Sequence, residues 1–132
     1  MVQPAIILIR PQLGENIGKS ARAMYNFGLT DLRLVAPRDG WPNPDAGPSA
    51  AGAGMLIDTA KVYDTVEEAV ADCTHVYATT IRDRNMPKPI VTPGEAANQM
   101  KALIGAGERP AIMFGPERSG MTNDDVALAD TV

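Results

Sequence analysis

Three short stretches of this 132-residue chain carry side chains able to do chemistry. The first runs from Asn16 to Gly28 (NIGKSARAMYNFG). Ile17, Ala21, Met24 and Gly28 recur at i, i+4, i+7 and i+11 and share one helical face, so Lys19, Arg22 and Asn26 fall on the opposite one. A guanidinium there suits phosphate binding or stabilisation of an oxyanion, and with a pKa above roughly 12 it gives up a proton reluctantly. The second stretch, Ala78 to Val91 (ATTIRDRNMPKPIV), places Arg82, Arg84 and Lys88 around a proline-rich turn with only Asp83 opposing them. The third, Ala111 to Asp125 (AIMFGPERSGMTNDD), sets Glu117 between Gly115 and Gly120. Glycines that close together mark a tight turn or a close approach of backbone to a ligand. Each stretch also has a plain structural reading. Asn16 stands where an N-cap belongs and Gly28 where a C′ glycine belongs, the arginines suit a solvated surface, and Glu117 suits a strand–turn–helix connection.

Elements must position these groups. Apolar, β-rich runs at Ala5–Ile9, Leu32–Val35, His75–Ala78 and Ala111–Phe114, with a shorter one at Lys61–Tyr63, read as strands. Helical patterns lie between them at Ile17–Phe27, Ala50–Ile57, Val66–Cys73 and Glu95–Ile104. The alternation predicts an α/β domain, a parallel sheet of about five strands flanked by helices. Pro37–Pro48, with prolines at 37, 42, 44 and 48, reads as a loop. Thr122 followed by Asp125 resembles a capping box and predicts a helix from about Asn123. Ligands of open parallel sheets sit beyond the carboxyl ends of the strands, so the loops after Ile9, Ala78 and Phe114 are the ones to watch.

Asn16, Gly18, Arg22, Phe27 and Gly28 resemble the first motif of the SpoU/TrmH (SPOUT, α/β-knot) class of RNA ribose 2′-O-methyltransferases, N-x-G-x-x-x-R-x-x-x-x-F-G. Phe114, Gly115, Glu117, Gly120 and Met121 resemble its second motif, F-G-x-E-x-x-G-[LM]. Thr79 to Arg84 is similar to the T-[ST]-x-R-x-R stretch of its TrmJ-type branch. The resemblance implies S-adenosylmethionine as cofactor, RNA as substrate (tRNA before rRNA) and a homodimer that shares Arg22 across subunits. It implies catalytic roles for Asn16, Arg22 and Glu117, and cofactor contacts from Thr79, Thr80, Ile81, Gly115 and Glu117. RNA contacts would come from Lys19, Arg22, Arg82, Arg84 and Lys88. Arg22 is proposed in that class to help deprotonate the ribose hydroxyl, and equally it could position a phosphate and stabilise the alkoxide. The third motif of the class, a Ser-Leu-Asn core, would follow a strand beginning near Asp130–Val132. Residues 1–132 are therefore expected to form a catalytic domain lacking that motif, with the knot incomplete and the fragment by itself inactive.

Composition narrows the alternatives. One cysteine, Cys73, precludes an internal disulfide framework, and no apolar run approaches a membrane span or a signal h-region, which leads to an expected cytoplasmic location. The formal charge of −4 is unlike that of a general nucleic-acid coat and keeps a non-catalytic RNA-binding module of the same fold as the alternative function. Ala51–Gly54 (AGAG) follows a proline-rich loop and lacks the third glycine of a dinucleotide fingerprint, Ile57 standing in its place. His75 is the sole histidine and no metal-ligand cluster accompanies it, so no metal is expected.

Overall fold

Alternation along buried strands divides the chain into two cores. In β1 (Ala5–Ile9), Ala5, Ile7 and Ile9 enter one core and Ile6 the other. In β2 (Leu32–Val35), Leu32 and Leu34 join Ile6, while Val35 joins Ile7. A computed structural model describes residues 3–79, 88–117 and 119–132. With β3 (Lys61–Tyr63), β4 (His75–Ala78) and β5 (Pro110–Phe114) the strands form one sheet in the order β3-β2-β1-β5-β4, every neighbouring pair parallel. The expected parallel α/β architecture is what the chain adopts.

Helices cover both faces. The helix α1 (Gly14–Asn26) packs Ile17, Ala21 and Met24 onto the Ile6 side, together with the short helices α2 (Ala46–Ala50) and α3 (Gly54–Thr59). Gly18 makes this possible: a Cβ there would stand 2.2 Å from the Ala46 carbonyl oxygen, so α1 and α2 approach backbone to backbone. On the Ile7 side lie α4 (Val66–Ala69) and α6 (Asn123–Ala127), through Val66, Ala69 and Val126. The remaining helix, α5 (Pro93–Gly105), starts at a Thr92–Glu95 capping box and ties to β4 where the Tyr77 hydroxyl meets Gln99 at 2.8 Å.

Several boundaries differ from the sequence reading. The single helix expected over Ala50–Ile57 is two, because Ala51 and Gly52 take left-handed φ values of 42° and 93° and break it. Pro48 lies inside α2 and not in the preceding loop, since a first helical turn needs no N–H from that residue. The helix expected to reach Cys73 is a single turn ending at Ala69. Gly28 behaves as expected, with φ of 74° directly after the C-cap Phe27. The Thr122–Asp125 capping box opens α6 at Asn123, also as expected.

Arg33 of β2 is buried on the α4 side. Its guanidinium donates to Asp31, to Asp72 and to the Ala69 carbonyl. Burial pulls such a cation's pKa down, but Asp31 and Asp72 outweigh that and keep Arg33 charged. Arg33 in turn holds the Asp72 carboxyl down at about 2, and burial raises the adjacent Cys73 thiol to about 11. Among the described residues no helix is long and apolar enough to cross a membrane.

Candidate active site

The site is assembled where β1 and β5 lie side by side. The chain leaves β1 for α1 on one face and leaves β5 for α6 on the other. The two connections diverge above the carboxyl ends of adjacent strands and leave a crevice, the ligand position of open parallel sheets.

Glu117 bridges that crevice. Its carboxylate accepts the N–H of Gln12 at 2.9 Å, the N–H of Leu13 at 2.8 Å and the side-chain amide of Asn16 at 3.1 Å. Partial burial pushes this carboxyl up, but the Gln12, Leu13 and Asn16 donors together hold it below the ordinary glutamate range. Glu117 is therefore a fixed anion near neutral pH, suited to positioning and unsuited to carrying a proton. The same contacts correct the reading of Asn16 as an N-cap. The N-cap is Leu13, which offers no side-chain cap, and Asn16 lies in the first turn of α1. A carboxylate brought from β5 does the capping work, so Asn16 is released to turn toward the crevice.

Asn16 and Glu117 meet, and neither Arg22 nor Lys19 bonds to either of them. Arg22 follows Asn16 by six residues, about 240° around a helix of 3.6 residues per turn. It is exposed and has no hydrogen-bond or ion-pair partner among the described residues. Lys88 is engaged elsewhere: its ammonium donates to the carbonyls of Ala129 at 2.6 Å and Ala127 at 3.3 Å, closing the carboxyl end of α6. Thr79 directly follows β4, its N–H and hydroxyl both donating to the Met113 carbonyl at 3.1 and 2.9 Å. Thr80, Ile81, Arg82 and Arg84 lie outside the described residues.

Gly115 and Pro116 lie against Gly120 and Met121. A Cβ on Gly115 would stand 2.5 Å from the Met121 nitrogen, and the Gly120 N–H returns to the Pro116 carbonyl at 3.0 Å. The glycine at 115 is thus required by the loop's own backbone. Two hollows meet at Phe114 and Glu117. One, of about 700 Å³, lies over the ends of β4 and β5 and is walled by Ala78, Thr79, Ile112, Gly120 and Met121. The other, of about 420 Å³, is an apolar groove between α1 and β1 lined by Leu8, Ala23, Phe27 and Leu29. Phe27 is 82% exposed at its rim.

Arg10 and Asp125 form an ion pair that sequence reasoning missed. Arg10 directly follows β1, and its guanidinium pairs with the carboxylate of Asp125 in the first turn of α6. The capping-box pattern marks Asp125, but no local pattern marks its partner. Among the described residues no group of His, Cys, Asp and Glu could hold a metal ion.

The SpoU rRNA Methylase family model matches residues 3–132. The chain belongs to the SpoU methylase family. Within that family it is 40% identical over 121 residues to the tRNA (cytidine/uridine/adenosine-2′-O-)-methyltransferase TrmJ of Pseudomonas aeruginosa, covering 92% of this chain and 47% of that one. Identity to the tRNA (cytidine/uridine-2′-O-)-methyltransferase TrmJ of Salmonella typhimurium is 40% over 122 residues, covering 92% and 49%. The crystal structure of TrmJ from Z. mobilis ZM4 superposes with a TM-score of 0.91 at 62% identity, over 98% of this chain and 57% of that chain. A probable methylase family protein from Haemophilus influenzae superposes with a TM-score of 0.87 at 35% identity, over 96% and 52%. The chain spans about half the length of these curated SpoU-family relatives.

Proposed function

We propose that this protein transfers the methyl group of S-adenosylmethionine to a ribose 2′-hydroxyl of RNA, with tRNA as substrate, and that residues 1–132 serve as its catalytic domain. The observation that carries the reading is the Glu117 clamp. It locks Asn16 and the α1 start against the loop that borders the 700 Å³ cleft, in a member of the SpoU family. The 2′-O-methyltransferase names of the TrmJ relatives support both the ribose target and tRNA.

The residues present suit this cofactor. A hollow of a few hundred Å³ walled mainly by apolar side chains accepts a nucleoside of that size. Glu117 is the only charged side chain among the described residues lining it, and a carboxylate tolerates a sulfonium nearby. The cofactor, when bound, supplies a methyl group already activated on sulfur. Ala78, Thr79, Ile112 and Met121 would enclose the nucleoside and exclude water. Asn16, oriented by Glu117, would present its amide to the incoming ribose. Proximity and alignment are the main catalytic contributions such a site can make.

Arg22 would contact the RNA backbone, with Lys19 one turn earlier and with Arg82 and Arg84, which follow β4 in the sequence. Arg22 faces away from Glu117 of its own chain, which supports a homodimer in which a second copy brings its Arg22 across. The apolar groove at Ala23 and Phe27 lies on the same helix, so one self-complementary contact through α1 would cover the groove and deliver the guanidinium. We place the reaction in the cytoplasm with its tRNA substrate. Mass mapping of 2′-O-methylated nucleotides in RNA from a strain lacking the gene tests the proposal. Loss of a tRNA ribose methyl group is expected, and an unchanged map would favour a non-catalytic RNA-binding role.

A further inference from the structure

We infer that Arg10 is a positioning residue for the methyl transfer proposed above, acting through Asp125 on the loop that borders the cofactor cleft. The inference rests on that functional reading and adds to it a residue that touches neither cofactor nor RNA. Arg10 stands at the carboxyl end of β1 with φ of 46°, a left-handed conformation that side chains other than glycine rarely adopt. Its N–H still bonds the Val35 carbonyl at 2.7 Å, so the sheet ladder continues through the strained residue. Backbone held in such a region persists only where the surroundings over-determine it. The ion pair is one of those surroundings, since both carboxylate oxygens of Asp125 face the guanidinium.

Asp125 is almost wholly buried and performs a second task. It accepts the Thr122 N–H at 2.9 Å while its own N–H donates to the Thr122 hydroxyl at 3.1 Å, which fixes the first turn of α6. The Gly115–Met121 loop ends one residue before Thr122. Its exit is therefore anchored by Arg10 and its middle by Glu117, which answers to Gln12, Leu13 and Asn16. Arg10, Gln12 and Leu13 belong to the β1–α1 connection, and Asn16 to the first turn of α1 that follows it. Two carboxylates from the β5 side are thereby indexed to one short segment on the β1 side. Releasing either changes the width of the crevice between cofactor cleft and Asn16.

The protein at its full natural length is titrated calorimetrically with S-adenosylhomocysteine and assayed for methyl transfer, as wild type, Arg10→Met, Asp125→Asn and the double variant. A displaced loop should raise the Kd for S-adenosylhomocysteine and the KM for S-adenosylmethionine by roughly 10- to 100-fold, with the KM for RNA unchanged. Because the residues act as a pair, the double variant should be no worse than the worse single variant. Arg10→Lys should recover only part of the loss, since a point charge cannot fork across two oxygens. A purely structural role predicts the opposite split, a smaller folded fraction with a lower kcat and unchanged KM and Kd. That split, or wild-type Kd and KM in any folded variant, overturns the inference. Asp125→Asn keeps an acceptor for Thr122 and decides the matter if Arg10→Met does not fold. Absence of S-adenosylhomocysteine binding by the wild type would overturn the functional reading itself, and this inference with it.

Discussion

The Glu117 carboxylate accepts the side-chain amide of Asn16 at 3.1 Å across 101 positions of sequence. One of its oxygens also takes the Leu13 N–H, so the group that orients the Asn16 amide also starts the helix that carries it. Stability and site geometry are coupled at this point.

Glu117→Gln keeps the shape but turns one end of the side chain into a donor facing donors. Because water reaches this exposed carboxylate and screens its contacts, the change should cost about 1 kcal/mol or less in urea unfolding, and it should remove most methyl transfer. The pH dependence has a definite sign. The folded-state carboxyl lies below its unfolded value, so its stabilisation is complete above the unfolded pKa of roughly 4.3 and is lost as pH falls through the folded value. Unfolding curves of wild type and Glu117→Gln should differ at neutral pH and converge only once pH has fallen below the folded-state value. A difference that persists in acid would mean that packing, not charge, accounts for the effect.

Two glycines should be intolerant of a methyl group for different reasons. Gly18→Ala forces apart the backbones of α1 and α2, and overpacking of this kind costs about 1–3 kcal/mol. Gly115→Ala collides with the Met121 nitrogen and should impair S-adenosylhomocysteine binding more than it lowers the thermal midpoint. Calorimetric titration beside thermal unfolding separates the two outcomes.

The buried guanidinium of Arg33 makes an asymmetric prediction. Asp31→Asn with Asp72→Asn leaves it uncompensated and should cost about 3–5 kcal/mol. Arg33→Met leaves two carboxylates that water still reaches and should be milder, within about 2 kcal/mol. Asp72 is half exposed, so Asp72→Asn alone should cost about 1 kcal/mol or less after solvent screening. Chemical denaturation of the three variants tests that order.

Arg22→Ala should abolish methyl transfer while moving stability by about 0.5 kcal/mol or less, as expected of an exposed side chain without a partner among the described residues. Arg22→Lys should also fail, because an ammonium lacks the planar fork. Mixing Arg22→Ala with Glu117→Gln protomers should restore part of the activity if Arg22 acts across subunits.

Local pattern was enough for the strands. Their apolar runs and β-branched residues marked each one, and the carboxyl-end rule pointed to the loops after Ile9 and Phe114 that form the crevice. Helix boundaries were less legible, because the break at Ala51–Gly52 needs a left-handed φ at Ala51, a residue type that does not announce one. In the site, type and spacing singled out Asn16 and Glu117 but misread the first as a cap, since the true capping group arrives from the far end of the chain. Arg10 was invisible for the same reason. A cation after a strand has no significance until the fold sets Asp125 opposite it. Lys88 sat in a cationic stretch whose composition suggested phosphate, and only the position of α6 revealed carbonyls within its reach.

The most direct measurement is methyl transfer in vitro: purified protein of full natural length, methyl-labelled S-adenosylmethionine and unmodified tRNA, with the product digested and resolved by nucleoside mass spectrometry. A 2′-O-methylated nucleoside, absent with Glu117→Gln and with Arg22→Ala, is the predicted result. Label on a base, or no incorporation by a wild-type protein that binds S-adenosylhomocysteine, would contradict the proposed ribose methylation.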